Sequence, residues 1–125
     1  MHHEPWGAVM LFQELVENQV LSPALIAAEL RTTRADIAGT LGLGRDALSR
    51  ASRIRARKTQ ARLRQMLKIL NRVEAEAGSP LAAYAWFRAE PLPGFGGATA
   101  GLLLREGRAD HVHAHLDRLA AGGYA

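Results

Sequence analysis

The stretch that decides the fold is RADIAGTLGLGRDALSRASR, residues 34–53. Its pattern predicts two short helices that cross steeply around a tight turn, which is the layout of a helix-turn-helix unit. Ala38 is small enough to let the two helices touch, and Gly42 can open the turn because glycine takes a positive φ angle without steric penalty. The apolar side chains expected to bury the elbow are Ile37, Leu41, Leu43 and Leu48, with Ala51 as a weaker match.

A helix-turn-helix unit that binds DNA inserts its second helix into the major groove, N-terminal residues foremost. Arginine there can contact guanine through two hydrogen bonds, whereas cations further along suit the phosphate backbone. The predicted DNA-binding residues are Arg45, Asp46, Ser49, Arg50 and Arg53, followed by Arg55, Arg57 and Lys58 for the backbone. The alternative is a helical corner that only packs or mediates dimerisation.

The distribution of charge also favours a polyanionic partner. The net charge of the chain is +4 at neutral pH. Residues 31–72 contain 12 lysines and arginines but only two acids, a net charge of +10, so the rest of the chain carries −6. Such a basic block between acidic flanks indicates a polyanion, although a solvated helix face has the same composition.

Helical periodicity runs through the rest of the chain and alternating strand patterns are nearly absent, so the sequence predicts an all-α protein. The first predicted helix starts at Pro5 and carries its apolar face on Ala8, Phe12, Leu15 and Val16. The other predicted helices cover about 22–30, 33–41, 45–53, 59–77, 79–88, 100–105 and 108–121. The last of these is expected to bury Val112, Leu116 and Leu119, which share one helical face.

These helices form two predicted units. Residues 1–58 contain the N-terminal helices and the helix-turn-helix, and residues 59–125 contain a long connecting helix and a small helical domain. The only long loop is EPLPGFGGAT, residues 90–99. Trp86, just before this loop, is expected to lie in the core.

Several classes of function are disfavoured by composition. The chain has no cysteine, which excludes disulfides, thiol nucleophiles and cysteine-based zinc sites. It has no apolar run of the roughly 20 residues that a membrane span needs, and its start lacks the pattern of a signal peptide. We therefore expect a soluble cytoplasmic protein.

No constellation of side chains predicts catalysis. The glycine-rich GFGG at residues 94–97 lacks the lysine of a phosphate-binding loop, and no paired carboxylates stand out. His111 and His115 share a helical face, but no carboxylate completes an obvious ligand set, so no metal site is expected. The sequence predicts a protein that is not an enzyme and needs no cofactor.

The C-terminal third has a series of features in a fixed order. A helix containing Trp86 is followed by a loop with two prolines, by GG-x-T at residues 96–99, by three leucines at 102–104, by REGRADHV at 105–112, and by a Gly-x-aromatic-small ending at 122–125. In this order the segment resembles the toxin-binding domain of the Xre/MbcA/ParS antitoxins, and the helix-turn-helix and long helix upstream also suit that family. Ala100 stands where many members have proline, and the spacing is that of the MbcA-like form.

The resemblance implies a two-component system. Members of this family bind a RES-domain toxin, an enzyme that consumes NAD or uses it for ADP-ribosylation, and their C-terminal segment covers or enters its active-site cleft. The matching positions here are Gly122, Gly123, Tyr124 and Ala125, with Arg118 and Leu119 on the helix behind them. The helix-turn-helix and its charge predict operator DNA as a partner and, because paired half-sites require two-fold symmetry, a homodimer.

The ending has a physical interpretation under this resemblance. Gly122 and Gly123 end the helix and permit close approach to a cleft wall, while Tyr124 offers a rigid ring with a hydroxyl group. A disordered tail is the simpler alternative. Two other functions also remain open at this point: a helix-turn-helix regulator without a toxin, and a relative that binds a toxin but not DNA.

Overall fold

The computed structural model describes residues 12–122, and this part of the chain is largely helical. A 3-10 helix at Phe12–Leu15 leads into a hairpin of two short strands, β1 (Val16–Glu17) and β2 (Val20–Leu21). The α-helices that follow are α1 (Pro23–Leu30), α2 (Arg34–Thr40), α3 (Ala51–Ile54), α4 (Arg57–Ala77), α5 (Pro80–Ala89), α6 (Ala100–Arg105) and α7 (Ala109–Gly122). The prediction of an all-α fold is confirmed, with the hairpin as the exception.

The hairpin replaces the end of the first predicted helix. Most of that helix, including Ala8, lies outside the described residues. Within them, Asn18 and Gln19 take φ angles of 52° and 70°, so the chain reverses in a two-residue turn and Val16 pairs with Leu21. The expectation that Val16 continues a helix is therefore wrong.

Hydroxyl side chains set the start of four helices. The side chains of Ser22, Thr33, Ser79 and Thr99 each accept a hydrogen bond from the backbone N–H three residues later, at 3.0–3.2 Å. Each bond satisfies a backbone donor that the helix itself cannot. At the C-terminal end of α4, Gly78 has a φ angle of 99°, and the helix ends there as predicted.

The second helix predicted for the helix-turn-helix is not continuous. Residues 45–49 form turns, in which the N–H of Ala47 bonds the carbonyl of Gly44 and that of Ser49 bonds the carbonyl of Asp46. Arg50 is extended (φ −103°, ψ 131°), and only the single turn of α3 follows. The prediction of a helix over 45–53 is wrong. No residue of α3 is fully buried and Ile54 is half-buried, so packing adds little to a short helix that is marginal by itself.

One hydrophobic cluster joins both predicted units. α4 runs through its centre and contributes the fully buried Leu63, Met66, Leu67, Ile69 and Leu70. The elbow residues Ile37, Leu41 and Leu48 belong to the same cluster as Phe87, Leu103 and Val112 from the later helices. Among the remaining predicted elbow positions, Ala38 is buried, Leu43 is half-buried and Ala51 is exposed. The division at residue 58 stays a prediction.

The tight approach of α6 to this core depends on one glycine. A Cβ atom at Gly101 would lie 3.3 Å from the ring of Phe87 and 3.4 Å from the methyl group of Thr40. α6 therefore packs directly on both α5 and α2. Trp86 is half-buried against the core rather than enclosed by it.

The end of α7 projects past the core. Val112 is fully buried and Leu116 is half-buried, but Leu119 is 50% exposed. The expectation that α7 buries Leu119 is wrong, because the helix continues beyond the last element that packs against its apolar face. Within the described residues, no helix combines the length and the apolar character needed to cross a membrane.

Candidate functional site

The projecting end of α7 is the first candidate surface. Val112, Leu116 and Leu119 follow at intervals of four and three residues, so they form one stripe along the helix. The stripe passes from full burial to half exposure, and residues 117–122 are all exposed. The last turns of α7 thus extend an apolar stripe into solvent.

Arg72 of α4 fixes the direction of α7. Its guanidinium donates to Asp117 Oδ1 at 2.7 Å and lies 3.0 Å from His113 Nδ1. It also donates to the carbonyl of His113 at 3.3 Å. Burial, and next the charge of Arg72, lower the pKa of His113, so its ring is held neutral and Nδ1 can accept the hydrogen bond. One arginine therefore holds two successive turns of α7.

The proline-glycine loop packs on the start of α7. It is closed by a hydrogen bond from the N–H of Leu92 to the carbonyl of Ala98 at 2.9 Å. Phe95 contacts the edge of the His111 ring, with centroids 5.9 Å apart, and lies under the guanidinium of Arg108 at 5.8 Å. His111 and His113 thus have different partners, and no metal-binding group of three ligands occurs among residues 12–122.

The structure describes three of the six predicted toxin-contacting residues. Arg118 and Leu119 are exposed on the projecting part of α7, and Gly122 is exposed at its end. Gly123, Tyr124 and Ala125 lie outside the described residues.

The predicted DNA-binding residues lie on the turns 45–49, on α3 and at the start of α4. Arg45, Ser49, Arg50, Arg53, Arg55, Arg57 and Lys58 are exposed, and Asp46 is half-buried. Two of the arginines also have contacts within the chain. Arg50 pairs with Asp46 at 3.5 Å, and Arg55 donates to the carbonyl of Asn18 at 2.9 Å.

The start of α4 differs from the hydroxyl-capped helices. Its N-cap residue is Ala56, which supplies no capping side chain, and its first turn contains no acid. Arg57 and Lys58 instead place two cations at the positive end of the helix dipole, an arrangement that disfavours the isolated helix. The combination of uncapped N–H groups and cations suits an anionic ligand.

A polar cluster that the sequence did not predict joins α2 to α5. Asp36 Oδ2 accepts hydrogen bonds from Thr32 Oγ1 at 2.9 Å, from the Tyr84 hydroxyl at 2.7 Å and from Arg88 at 3.1 Å. The Tyr84 hydroxyl also lies 3.0 Å from Thr40 Oγ1. Burial raises the pKa of Tyr84 above its ordinary value, so the hydroxyl remains a donor. Asp36 stands at the third position of its helix, and nothing in the local sequence indicates a partner 48 residues away.

Comparison with known proteins identifies the C-terminal part of the chain. Residues 72–122 match the family described as the antitoxin Xre/MbcA/ParS C-terminal toxin-binding domain. The comparisons with curated proteins and with solved structures found no match. The matched segment begins at Arg72, which holds α7, and ends at Gly122, where the described part of α7 ends. Residues 72–122 are thus similar to an Xre/MbcA/ParS-type toxin-binding domain, and the match supports an antitoxin of this type.

Proposed function

We propose that this protein is the antitoxin of a type II toxin–antitoxin system and that it neutralises a RES-domain, NAD-consuming toxin. The C-terminal segment covers the active site of the toxin, and the basic part of the chain binds operator DNA. The protein acts in the cytoplasm as a homodimer. Neutralisation by occlusion requires no catalysis by the antitoxin itself.

The toxin-binding part of this proposal is supported by the apolar stripe on the projecting end of α7. Leu119 lies on the face that buries Val112, yet it is 50% exposed where the helix leaves the core. An exposed apolar side chain beside an arginine supports an interface at this end of α7, because arginine is enriched among the residues that dominate binding energy. Arg118 adjoins it, and Gly122 leads directly into the residues proposed to enter the cleft.

The toxin-binding half is tested by co-purification with the product of the neighbouring gene and by measurement of NAD consumption. The full chain should bind and silence the toxin. A chain that ends at Ala121 should bind more weakly or leave NAD consumption active, because it lacks the segment that fills the cleft. Equal silencing by both chains would refute occlusion by the tail.

A substitution at Leu119 tests the contribution of α7 separately from the contribution of the residues that follow it. Leu119→Asp should weaken toxin capture strongly, because it places a charge at the centre of the apolar contact. Leu25→Asp is the matched control, since Leu25 is 37% exposed on α1 and has no role in the proposal. If both variants capture the toxin as well as the unmodified chain does, the stripe on α7 is not the interface.

The DNA-binding half is supported by the exposed cations between Arg45 and Lys58 and by the uncapped start of α4. Because residues 45–49 are turns, we expect phosphate contacts to contribute more affinity than base contacts. Reversal of charge at Arg45 and Arg50 should abolish binding to the promoter DNA of the gene while toxin capture persists. Unchanged DNA binding would favour contacts elsewhere, and absence of DNA binding by the unmodified chain would favour an antitoxin without an operator.

A regulator without a toxin is the rival function. It predicts DNA binding but no capture of the neighbouring gene product. The match of residues 72–122 to a toxin-binding domain favours the antitoxin.

A further inference from the structure

A polar cleft lies where α2, α5 and α6 meet. It has a volume of about 330 Å³, and its lining includes Asp36, Gly39, Thr40, Arg88, Thr99 and Arg105. Two of these side chains are cationic and one is acidic. The cleft thus brings arginines of the toxin-binding domain beside the first helix of the helix-turn-helix.

Arg105 lies directly against the turn of the helix-turn-helix. A Cβ atom at Gly42 would be 3.1 Å from the Arg105 side chain, so the stem of the arginine rests on this glycine. Gly42 itself has a φ angle of 67°, which glycine adopts without strain. The glycine that opens the turn therefore also makes room for an arginine from α6.

Arg62 fixes the backbone on both sides of this contact. Its guanidinium donates to the carbonyl of Leu41 at 2.6 Å, to that of Gly42 at 3.4 Å and to that of Arg105 at 3.3 Å. These bonds hold the end of α6 against the turn. They also leave the positive charge of Arg62 close to the Arg105 side chain.

The charge of Arg105 has no counterion among the described residues. The ion pairs of this region join Asp36 to Arg88 at 3.1 Å and Glu106 to Arg108 at 3.5 Å. Asp36 is the one acid lining the cleft, and its charge is compensated by Arg88 and by the hydroxyls of Tyr84 and Thr32. The electrostatic potential near Arg105 is therefore positive and favours the binding of an anion.

The position of the turn indicates which anion this is. The exposed cations that begin at Arg45 are the residues proposed to hold DNA phosphates, so phosphates bound there lie close to the turn that directly precedes them. Arg105 rests on that turn at Gly42, and Gly42 precedes Arg45 by three residues in the sequence. A phosphate requires only a nearby cation, whereas readout of a base requires a shaped helix face that the turns 45–49 do not provide.

We propose that Arg105, at the mouth of this cleft, contacts a DNA phosphate, so that the toxin-binding domain contributes to the DNA interface. This proposal rests on the proposed operator binding. Arg62 is the positioning residue that keeps Arg105 beside the turn. The DNA footprint of the protein then includes residues from both halves of the chain.

The test measures the affinity of the full chain for a 30-base-pair duplex of mixed sequence and for the promoter DNA of its gene, as a function of salt concentration. Arg105→Ala should weaken binding to both duplexes alike and reduce the salt slope by about 1. The loss of one phosphate contact changes the ratio of affinities at 50 and 200 mM salt by roughly three- to fourfold. Arg105→Lys should restore the slope, since a phosphate contact requires charge rather than the shape of a guanidinium.

Lys68→Ala is the matched control, because it removes one exposed cation from the middle of α4 and should leave the slope unchanged. Toxin capture by Arg105→Ala should equal that of the unmodified chain, and its unfolding temperature confirms that it folds. If Arg105→Ala retains the full salt slope, the proposal is wrong. If it retains DNA binding but loses toxin capture, the cleft serves a protein partner and the proposal is equally wrong. If the unmodified chain binds neither duplex, the proposed operator binding is wrong, and the proposal for Arg105, which rests on it, is wrong as well.

Discussion

At the residue scale, the hydroxyl of Tyr84 links α5 to α2. It donates to Asp36 at 2.7 Å and lies 3.0 Å from Thr40, while the residue is 2% exposed. Tyr84→Phe keeps the ring and removes both hydrogen bonds. We expect the free energy of unfolding to fall by about 1–2 kcal/mol, because one of the lost hydrogen bonds is accepted by the charged carboxylate of Asp36. Urea denaturation measures this change.

Ser49→Ala is the control for removal of a hydroxyl. The Ser49 side chain is exposed and makes one long contact of 3.4 Å to the carbonyl of Asp46. Its loss should change the free energy of unfolding by less than about 0.5 kcal/mol. Equal effects at both positions would mean that the Asp36–Tyr84 contact does not stabilise the fold.

His113 makes the attachment of α7 dependent on pH. Burial, and then Arg72 and Lys68, lower the pKa of His113, while Asp117 opposes them. A lowered pKa in the folded state means that the unfolded chain binds the proton more readily. The stability from neutral His113 is fully present above the ordinary histidine value of about 6.5, and it is lost as the pH falls through the lower folded value.

We therefore expect thermal stability to decrease on acidification below about pH 6.5. His113→Gln should flatten this part of the profile, and the same replacement at His111, which packs on Phe95, controls for loss of a histidine on α7. The measurement is the unfolding temperature between pH 7.5 and 5. A profile unaltered by His113→Gln would assign the dependence to other groups.

At the scale of the element, two glycines have opposite roles in their helices. Gly78 ends α4 with a φ angle of 99°, where a side chain is strained. Gly39 lies inside α2, and a Cβ atom there would meet nothing within 4 Å. We expect Gly78→Ala to destabilise the protein by about 1–2 kcal/mol. Gly39→Ala should stabilise it by about 0.5–1 kcal/mol, because alanine restricts the unfolded chain.

Thermal unfolding of the two variants provides the comparison. Each variant controls for the other, because both replace glycine with alanine in or next to a helix. A stabilising Gly78→Ala would contradict the assignment of the α4 C-cap.

At the scale of the whole molecule, the shared core predicts that both halves unfold together. Phe87 is fully buried, and it belongs to the same cluster as Ile37 of α2 and Leu41 at the end of α2. Phe87→Ala should cost about 3–5 kcal/mol, through lost burial and the cavity left behind. This loss of stability should lower the protection of the backbone amides of α2 and α5 against hydrogen exchange by the same amount, because both helices depend on one core.

Native-state amide hydrogen exchange measures this protection helix by helix. Leu25→Ala, a change at an exposed leucine, should leave the protection of both helices nearly unchanged. If α5 loses protection in Phe87→Ala while α2 keeps it, the two units are separate domains, with a boundary near residue 58.

Much of this organisation could be predicted from the sequence, because the signals were local. The predicted helix starts at 22, 33 and 79 coincide with hydroxyls that bond the adjacent turn, and the predicted end at 77 precedes Gly78, which takes a positive φ. The helical periodicity of residues 59–77 predicted α4. The ordered features from Trp86 onward predicted the family that residues 72–122 match.

The contacts between distant segments were decided only by the tertiary structure. The periodicity of Val112, Leu116 and Leu119 predicts one face, but where the core ends determines that Leu119 is exposed. The extended Arg50 interrupts residues 45–53, and no propensity of these residues indicates the break. Asp36 meets Tyr84, and Arg105 rests on Gly42, only because α5 and α6 pack on α2. Caps and periodicity are encoded within a few residues, whereas these contacts depend on how the helices fill one shared core.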